Sequence, residues 1–65
     1  MNLTVNGLPR TLQAGASVAD LLAAMDAKPP FAVAVNTSFV PATRHAQHLL
    51  QPGDHVEVIS PVTGG

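Results

Sequence analysis

The chain has 65 residues, a formal net charge of −1 at pH 7, and no cysteine, tryptophan or tyrosine. That length holds one small domain, which buries only about 60% of its unfolded surface, and the missing cysteines exclude disulfides, thiolate metal sites and a cysteine nucleophile. Arg10, Lys28 and Arg44 are too few for a nucleic-acid footprint, and Phe31 and Phe39 are too few for a base-stacking platform.

No apolar run approaches the roughly 20 residues of a membrane span. The start Met1-Asn2-Leu3-Thr4 lacks the basic and apolar stretches of a signal peptide. With the cysteine-free composition, this makes the expected location cytoplasmic, with no membrane and no nucleic-acid partner.

Leu3 and Val5 alternate with Asn2 and Thr4, a strand pattern. Asn6-Gly7 then signals a tight hairpin, because both residues tolerate positive φ. The return strand is expected through Arg10-Thr11-Leu12-Gln13, with Pro9 marking a sheet edge. Ala14-Gly15-Ala16 breaks the pattern. Ser17 is a good helix cap with Asp20 three residues later, and Val18, Leu21, Leu22 and Met25 make one apolar helix face. Lys28 sits near the expected helix end, and Pro29-Pro30 forbids continuation.

Phe31-Ala32-Val33-Ala34-Val35 is a continuous apolar run and reads as a strand buried on both faces. Asn36-Thr37-Ser38 makes a turn, and Phe39-Val40 a short strand ended by Pro41. Thr43 is placed to cap a short helical turn from Arg44 to His48, after which Leu49 and Leu50 return to the core. Gln51-Pro52-Gly53-Asp54 is a turn cluster, and His55-Val56-Glu57-Val58-Ile59 is the last strand. One helix covering one face of a mixed sheet of four to five strands is an α+β two-layer domain. The first and last strands are expected side by side and parallel, because a long connection separates them. This order is that of the β-grasp, or ubiquitin-like, fold, over residues 1–59, with 60–65 as a flexible C-terminal tail.

Catalytic material is scarce. Asp20 and Asp26 read as a solvated helix face, and Asp54 as a turn residue bonding its own backbone. His45 and His48 are three apart, but with only His55 to add they fall short of a convincing zinc set, and solvent-facing or partner-facing histidines are the plainer reading. No serine sits in a Gly-x-Ser-x-Gly context, and Gly7, Gly15 and Gly53 are isolated turn glycines, not a phosphate-binding loop.

The ending Gly64-Gly65 stands out. Two residues without side chains can enter a channel too narrow for any other, although a frayed end or a cloning remnant has the same appearance. A terminal carboxylate is ionised at neutral pH and repels nucleophiles, so it reacts only after activation, for example by ATP as an acyl-adenylate. The chain has no nucleotide site, so a partner enzyme would supply one. Residues 60–65 reach at most about 20 Å at roughly 3.3–3.6 Å per residue. Ordering them costs on the order of 1–2 kcal/mol each, so the body must supply most of the docking energy. Phe39, Arg44 and His55 are the expected docking residues on the sheet face away from the helix, with a core position for Phe39 as the alternative.

The chain resembles the ThiS family, the small sulfur carrier proteins of thiamine thiazole biosynthesis. The resemblance rests on the Met-x-Leu-x-Val-Asn-Gly start, Ala-Gly-x-Ser-Val-x-x-Leu-Leu at 14–22, and Val33-Ala34-Val35-Asn36. Val40-Pro41, the segment Leu50-x-x-Gly53-Asp54-x-Val56-Glu57-Val58, and Gly64-Gly65 complete it. It covers essentially the whole chain. Many members carry a basic residue just after the Val-Pro pair; here Ala42 fills that place and Arg44 follows two residues later.

The resemblance implies a carrier and cosubstrate, not an enzyme, with no bound cofactor. A ThiF-like adenylyltransferase would adenylate Gly65 with ATP and magnesium. A cysteine desulfurase or rhodanese-type donor would supply sulfur to give a thiocarboxylate, and thiazole synthase would take that sulfur into the thiazole ring. Gly64, Thr63 and Val62 would enter the partner's active site. The ending Pro61-Val62-Thr63-Gly64-Gly65 also resembles the small subunit of molybdopterin synthase. A carrier for cysteine or a specialised metabolite, a ubiquitin-like protein modifier, and a plain interaction domain with an incidental Gly-Gly are further alternatives.

Overall fold

The structure is a computed structural model that describes residues 1–27 and 31–59. Strand β1 (Asn2–Val5) turns at Asn6-Gly7 into β2 (Leu8–Thr11). Helix α1 (Val18–Ala24) follows, then β3 (Ala32–Val35) and β4 (Ser38–Val40), a 3-10 turn at Ala42–Arg44, and β5 (His55–Ile59).

The five strands form one sheet in the order β2-β1-β5-β3-β4. The last strand in sequence therefore lies at the centre. It runs parallel to β1, with Thr4 opposite His55 and Val5 opposite Val56, and antiparallel to β3, with Val33 opposite Val58 and Val35 opposite Val56. The two flanking pairs are hairpins, β1 with β2 and β3 with β4. This is the mixed sheet on one helix of the ubiquitin-like β-grasp.

The helix begins where Ser17 leaves the extended region. Ser17 Oγ accepts from the Asp20 N–H at 3.1 Å and the Asp20 carboxylate accepts from the Ser17 N–H at 2.9 Å, a complete capping box. Asp26, at φ +53°, takes the left-handed position that follows a helix end. Arg10 reaches across from β2, and its Nη2 donates to the Ala24 carbonyl at 3.1 Å, placing a cation at the negative end of the helix.

The core forms because alternate strand residues share one face. Leu3, Val5, Val33, Val35, Val40 and Val56 are buried against Val18, Leu21 and Leu22 of the helix, and Leu50 fills the side. Met25 and Val58 border this cluster half-buried.

Several expectations are corrected. The first return strand starts at Leu8, two residues before Arg10, and stops at Thr11. The tight turn brings residue 8 directly opposite Val5, and Pro9 is tolerated because β2 is an edge strand. β3 is buried on the valine face only; Ala32 and Ala34 are half-buried on the other. Thr43 caps nothing: it lies inside a 3-10 turn that starts after Pro41, where no side chain caps. Leu50 enters the core, but Leu49 is 55% exposed, because neighbours on an extended segment point opposite ways.

His45 is not solvent-facing. It is buried, its Nε2 donates to the Val40 carbonyl at 3.0 Å, and its ring stacks on Phe31 with centroids 5.9 Å apart. The tail 60–65 and the Lys28-Pro29-Pro30 break lie outside the described residues.

Candidate partner-docking site

The alternation that buries one face of the sheet leaves the other uncovered by the helix. Ala34 of β3 lies opposite Phe39 of β4 on one side and Glu57 of β5 on the other, and Ala32 lies opposite Ile59. Directly opposed residues share a face, so Phe39, Glu57 and Ile59 stand together on the open side. The small alanines between them leave the two large apolar groups proud: Phe39 is 68% and Ile59 58% exposed.

Phe39 therefore belongs to the surface, not the core. Beside it the chain leaves β4 through Pro41, and the 3-10 turn brings Arg44 back alongside. The result is a cleft of about 240 Å³ lined by Ser38, Phe39, Val40, Pro41, Arg44, Gln47 and His48. Its wall is apolar and its rim carries the exposed Arg44 guanidinium. Such a cleft suits a partner's apolar side chain next to a carboxylate or a main-chain carbonyl, since guanidinium groups favour such acceptors. Ser38 and His48 both line it, with no hydrogen bond between them.

The structure brings Phe39 and Arg44 together in this cleft but leaves His55 out of it. His55 opens β5 opposite Thr4, with its Nδ1 2.8 Å from Thr4 Oγ1. It is exposed on the open face, two residues from Glu57. Gly64, Gly65, Thr63 and Val62 lie outside the described residues. Gln47 and His48 are lining residues that sequence reasoning missed as docking candidates. Their position depends on a 3-10 turn whose path no periodicity announces. Asn6 and Asn36 were read only as turn formers, yet their side chains hold the central strand. Asn6 bonds the Val58 backbone, and Asn36 Oδ1 accepts from the His55 N–H at 2.9 Å.

Among the described residues, no three His, Cys, Asp or Glu side chains gather to hold a metal ion, and no helix is long and apolar enough to cross a membrane.

Comparison with known proteins agrees with this geometry. The ThiS family model matches residues 3–65. Among solved structures, the crystal structure of the thiamine biosynthesis protein ThiS from Geobacter metallireducens superimposes with a TM-score of 0.85 at 30% identity, covering 100% of both chains. A search of curated proteins found no match. With nearly its whole length matched, the chain belongs to the ThiS family of sulfur carrier proteins.

Proposed function

We propose that this protein carries sulfur as a thiocarboxylate on Gly65 and delivers it to thiazole formation in thiamine biosynthesis. The observation that carries the reading is the family match, which runs through Gly64 and Gly65. A ThiF-like enzyme with ATP and magnesium converts the carboxylate to an acyl-adenylate and releases pyrophosphate. The outer sulfur of a persulfide on a cysteine desulfurase or rhodanese-type donor then attacks the acyl carbon, AMP leaves with the bonding pair, and an acyl disulfide forms. A second thiol attacks the donor's sulfur, breaks the S–S bond and frees the thiocarboxylate, the two thiol sulfurs being left as a disulfide. Thiazole synthase is the acceptor. Each step occurs on a partner; this chain contributes the carboxyl group and the surface that docks it.

The shared geometry of Phe39 and Arg44 supports the cleft as that docking surface. The apolar ring offers burial and the guanidinium fixes orientation, the usual composition of a binding hot spot. The Gly-Gly end then needs to add position more than affinity, because ordering it offsets its few contacts.

Intact mass tests the reading. The full chain is incubated with ATP, magnesium, a ThiF-like enzyme, a persulfide donor and a thiol reductant. The expected product gains the difference between one sulfur and one oxygen, and the gain disappears when Gly65 is deleted or a residue is appended after it. An unmodified mass, or a modification elsewhere in the chain, overturns it.

A further inference from the structure

Asn6 does more than turn the first hairpin. Its main-chain N–H donates to the Val56 carbonyl at 2.8 Å. Its side-chain Oδ1 accepts from the Val58 N–H at 2.9 Å, and its Nδ2 donates to the Val58 carbonyl at 3.3 Å. The Val58 groups fix the orientation of this amide, since an N–H must meet the oxygen and a carbonyl must meet the nitrogen.

Evenly spaced, slanted bonds make up a parallel ladder. Once residue 6 has given its N–H to Val56, an extended strand would receive the Val58 N–H on its own main-chain carbonyl. Asn6 cannot continue as a strand: it sits at φ +53° and Gly7 at φ +80°, so the backbone swings away into β2. The carboxamide is a peptide-like group, and it supplies the acceptor and then the donor that the diverted backbone withholds. The β1–β5 register ends at Val5 opposite Val56. Among the described residues, the Val58 main chain is therefore held on the β1 side by one side chain, and on the other side by β3, where Val33 lies opposite Val58 and Ala32 opposite Ile59.

We infer that Asn6 is a positioning residue for chemistry at the Gly65 carboxyl: its carboxamide pins Val58 and so holds the end of β5, the last described part of the chain before that carboxyl, in register with β1. The inference rests on the sulfur-carrier reading. Turn geometry alone does not require asparagine, because glycine and aspartate also tolerate the left-handed region. Only a carboxamide makes both bonds; glycine makes neither, and aspartate keeps the acceptor but sets a negative charge against the Val58 carbonyl.

The test uses the full chain as wild type, Asn6→Gly and Asn6→Asp, with two readouts: amide hydrogen exchange at Val58 and Ile59, and kcat and KM for thiocarboxylate formation with a ThiF-like enzyme, ATP, a persulfide donor and a thiol reductant. In Asn6→Gly, exchange at Val58 should accelerate while the core amides of Val33 and Leu21 stay protected. Its kcat should fall by about tenfold or more, the scale expected when a reacting group is displaced by a fraction of an ångström to an ångström, with KM within about twofold because the cleft is untouched. Asn6→Asp should fall between, having kept the Val58 acceptor. Faster Val58 exchange with unchanged kcat overturns the positioning role, as does unchanged exchange in both variants, or a loss traced to KM alone. If the wild-type chain itself forms no thiocarboxylate, the carrier reading fails, and with it the role assigned to Asn6, whereas the exchange data still report on the clamp.

Discussion

The two hairpins of the sheet use the same turn with different second residues. The first turns at Asn6 (φ +53°) and Gly7 (φ +80°), the second at Asn36 (φ +51°) and Thr37 (φ +70°). Glycine is at ease there. A β-branched threonine is not, and a left-handed residue of this kind costs roughly 1–2 kcal/mol. What differs around the two turns is the anchoring. Asn6 reaches the end of β5 through exposed bonds. Asn36 reaches its beginning: the main-chain N–H donates to the His55 carbonyl at 2.7 Å, Oδ1 accepts from the His55 N–H at 2.9 Å, and Nδ2 donates to Asp54 Oδ1 at 2.9 Å. Asp54 is itself buried and also accepts from the Gln51 N–H at 2.8 Å. Strain is thus tolerated where a partly buried network over-determines the turn, and the relaxed Asn-Gly turn sits where the side-chain bonds are exposed.

The largest expected effect tests what the hairpins share. Leu21 is fully buried beneath the sheet, and Leu21→Ala should cost about 2–5 kcal/mol, enough to unfold much of a domain this small near physiological temperature. A thermal melt that barely moves would mean the helix does not hold the hairpins together.

Asn36→Ala should come next, losing about 2–3 kcal/mol, because it forces alanine into the left-handed region and leaves Asp54 and the His55 N–H short of a partner. A denaturant titration reads it, and a loss no larger than that of Asn6→Gly would erase the difference in anchoring.

A third comparison sets the two exposed apolar residues of the return strands against each other. Leu8 is 69% exposed but lies opposite Val5, on the helix side of the sheet edge. Phe39 is as exposed but stands on the open face in the Arg44 cleft. Phe39→Ala should weaken binding to the activating enzyme by about 1–2 kcal/mol, with stability changed by no more than about 0.5 kcal/mol, and Leu8→Ala should leave binding unchanged. Calorimetry showing equal losses for both would move the docking surface elsewhere.

The smallest effect is a gain. Thr37→Gly should stabilise the protein by about 0.5–1 kcal/mol, since relief of the left-handed strain outweighs the added freedom of the unfolded chain. A lowered melting temperature would show that threonine contributes more at this turn than its strain removes.

Elements governed by local chemistry were readable from the sequence. The helix followed from the Ser17–Asp20 cap and the spacing of Val18, Leu21 and Leu22, and the first hairpin from Asn6-Gly7. The parallel pairing of β1 with β5 followed from chain order. Where three-dimensional neighbours decide, the reading failed or stopped. A histidine next to a short turn looks solvated until Phe31 and the Val40 carbonyl are known to enclose it. The alternation hidden in Phe31-Ala32-Val33-Ala34-Val35 is invisible to a polarity pattern, because alanine and valine are both apolar. Of the cleft beside β4, Phe39 and Arg44 were singled out from the sequence, whereas Gln47 and His48 enter it through a turn of irregular geometry. The Gly-Gly end was conspicuous in the sequence for lacking side chains, and its residues lie outside those described.

The order β2-β1-β5-β3-β4 has a consequence for synthesis. Each hairpin is local and can form early, on the microsecond scale of such elements. Within the sheet only β5 joins them, and it is made last of all the strands. Its pairing with β1 spans some fifty residues of chain, a long-range closure of the kind that slows folding. The sheet therefore cannot be completed until β5, which ends at Ile59, is free to pair. A chain truncated before β5 therefore keeps two hairpins with no strand between them, and loses the open face on which Phe39, Glu57 and Ile59 stand together.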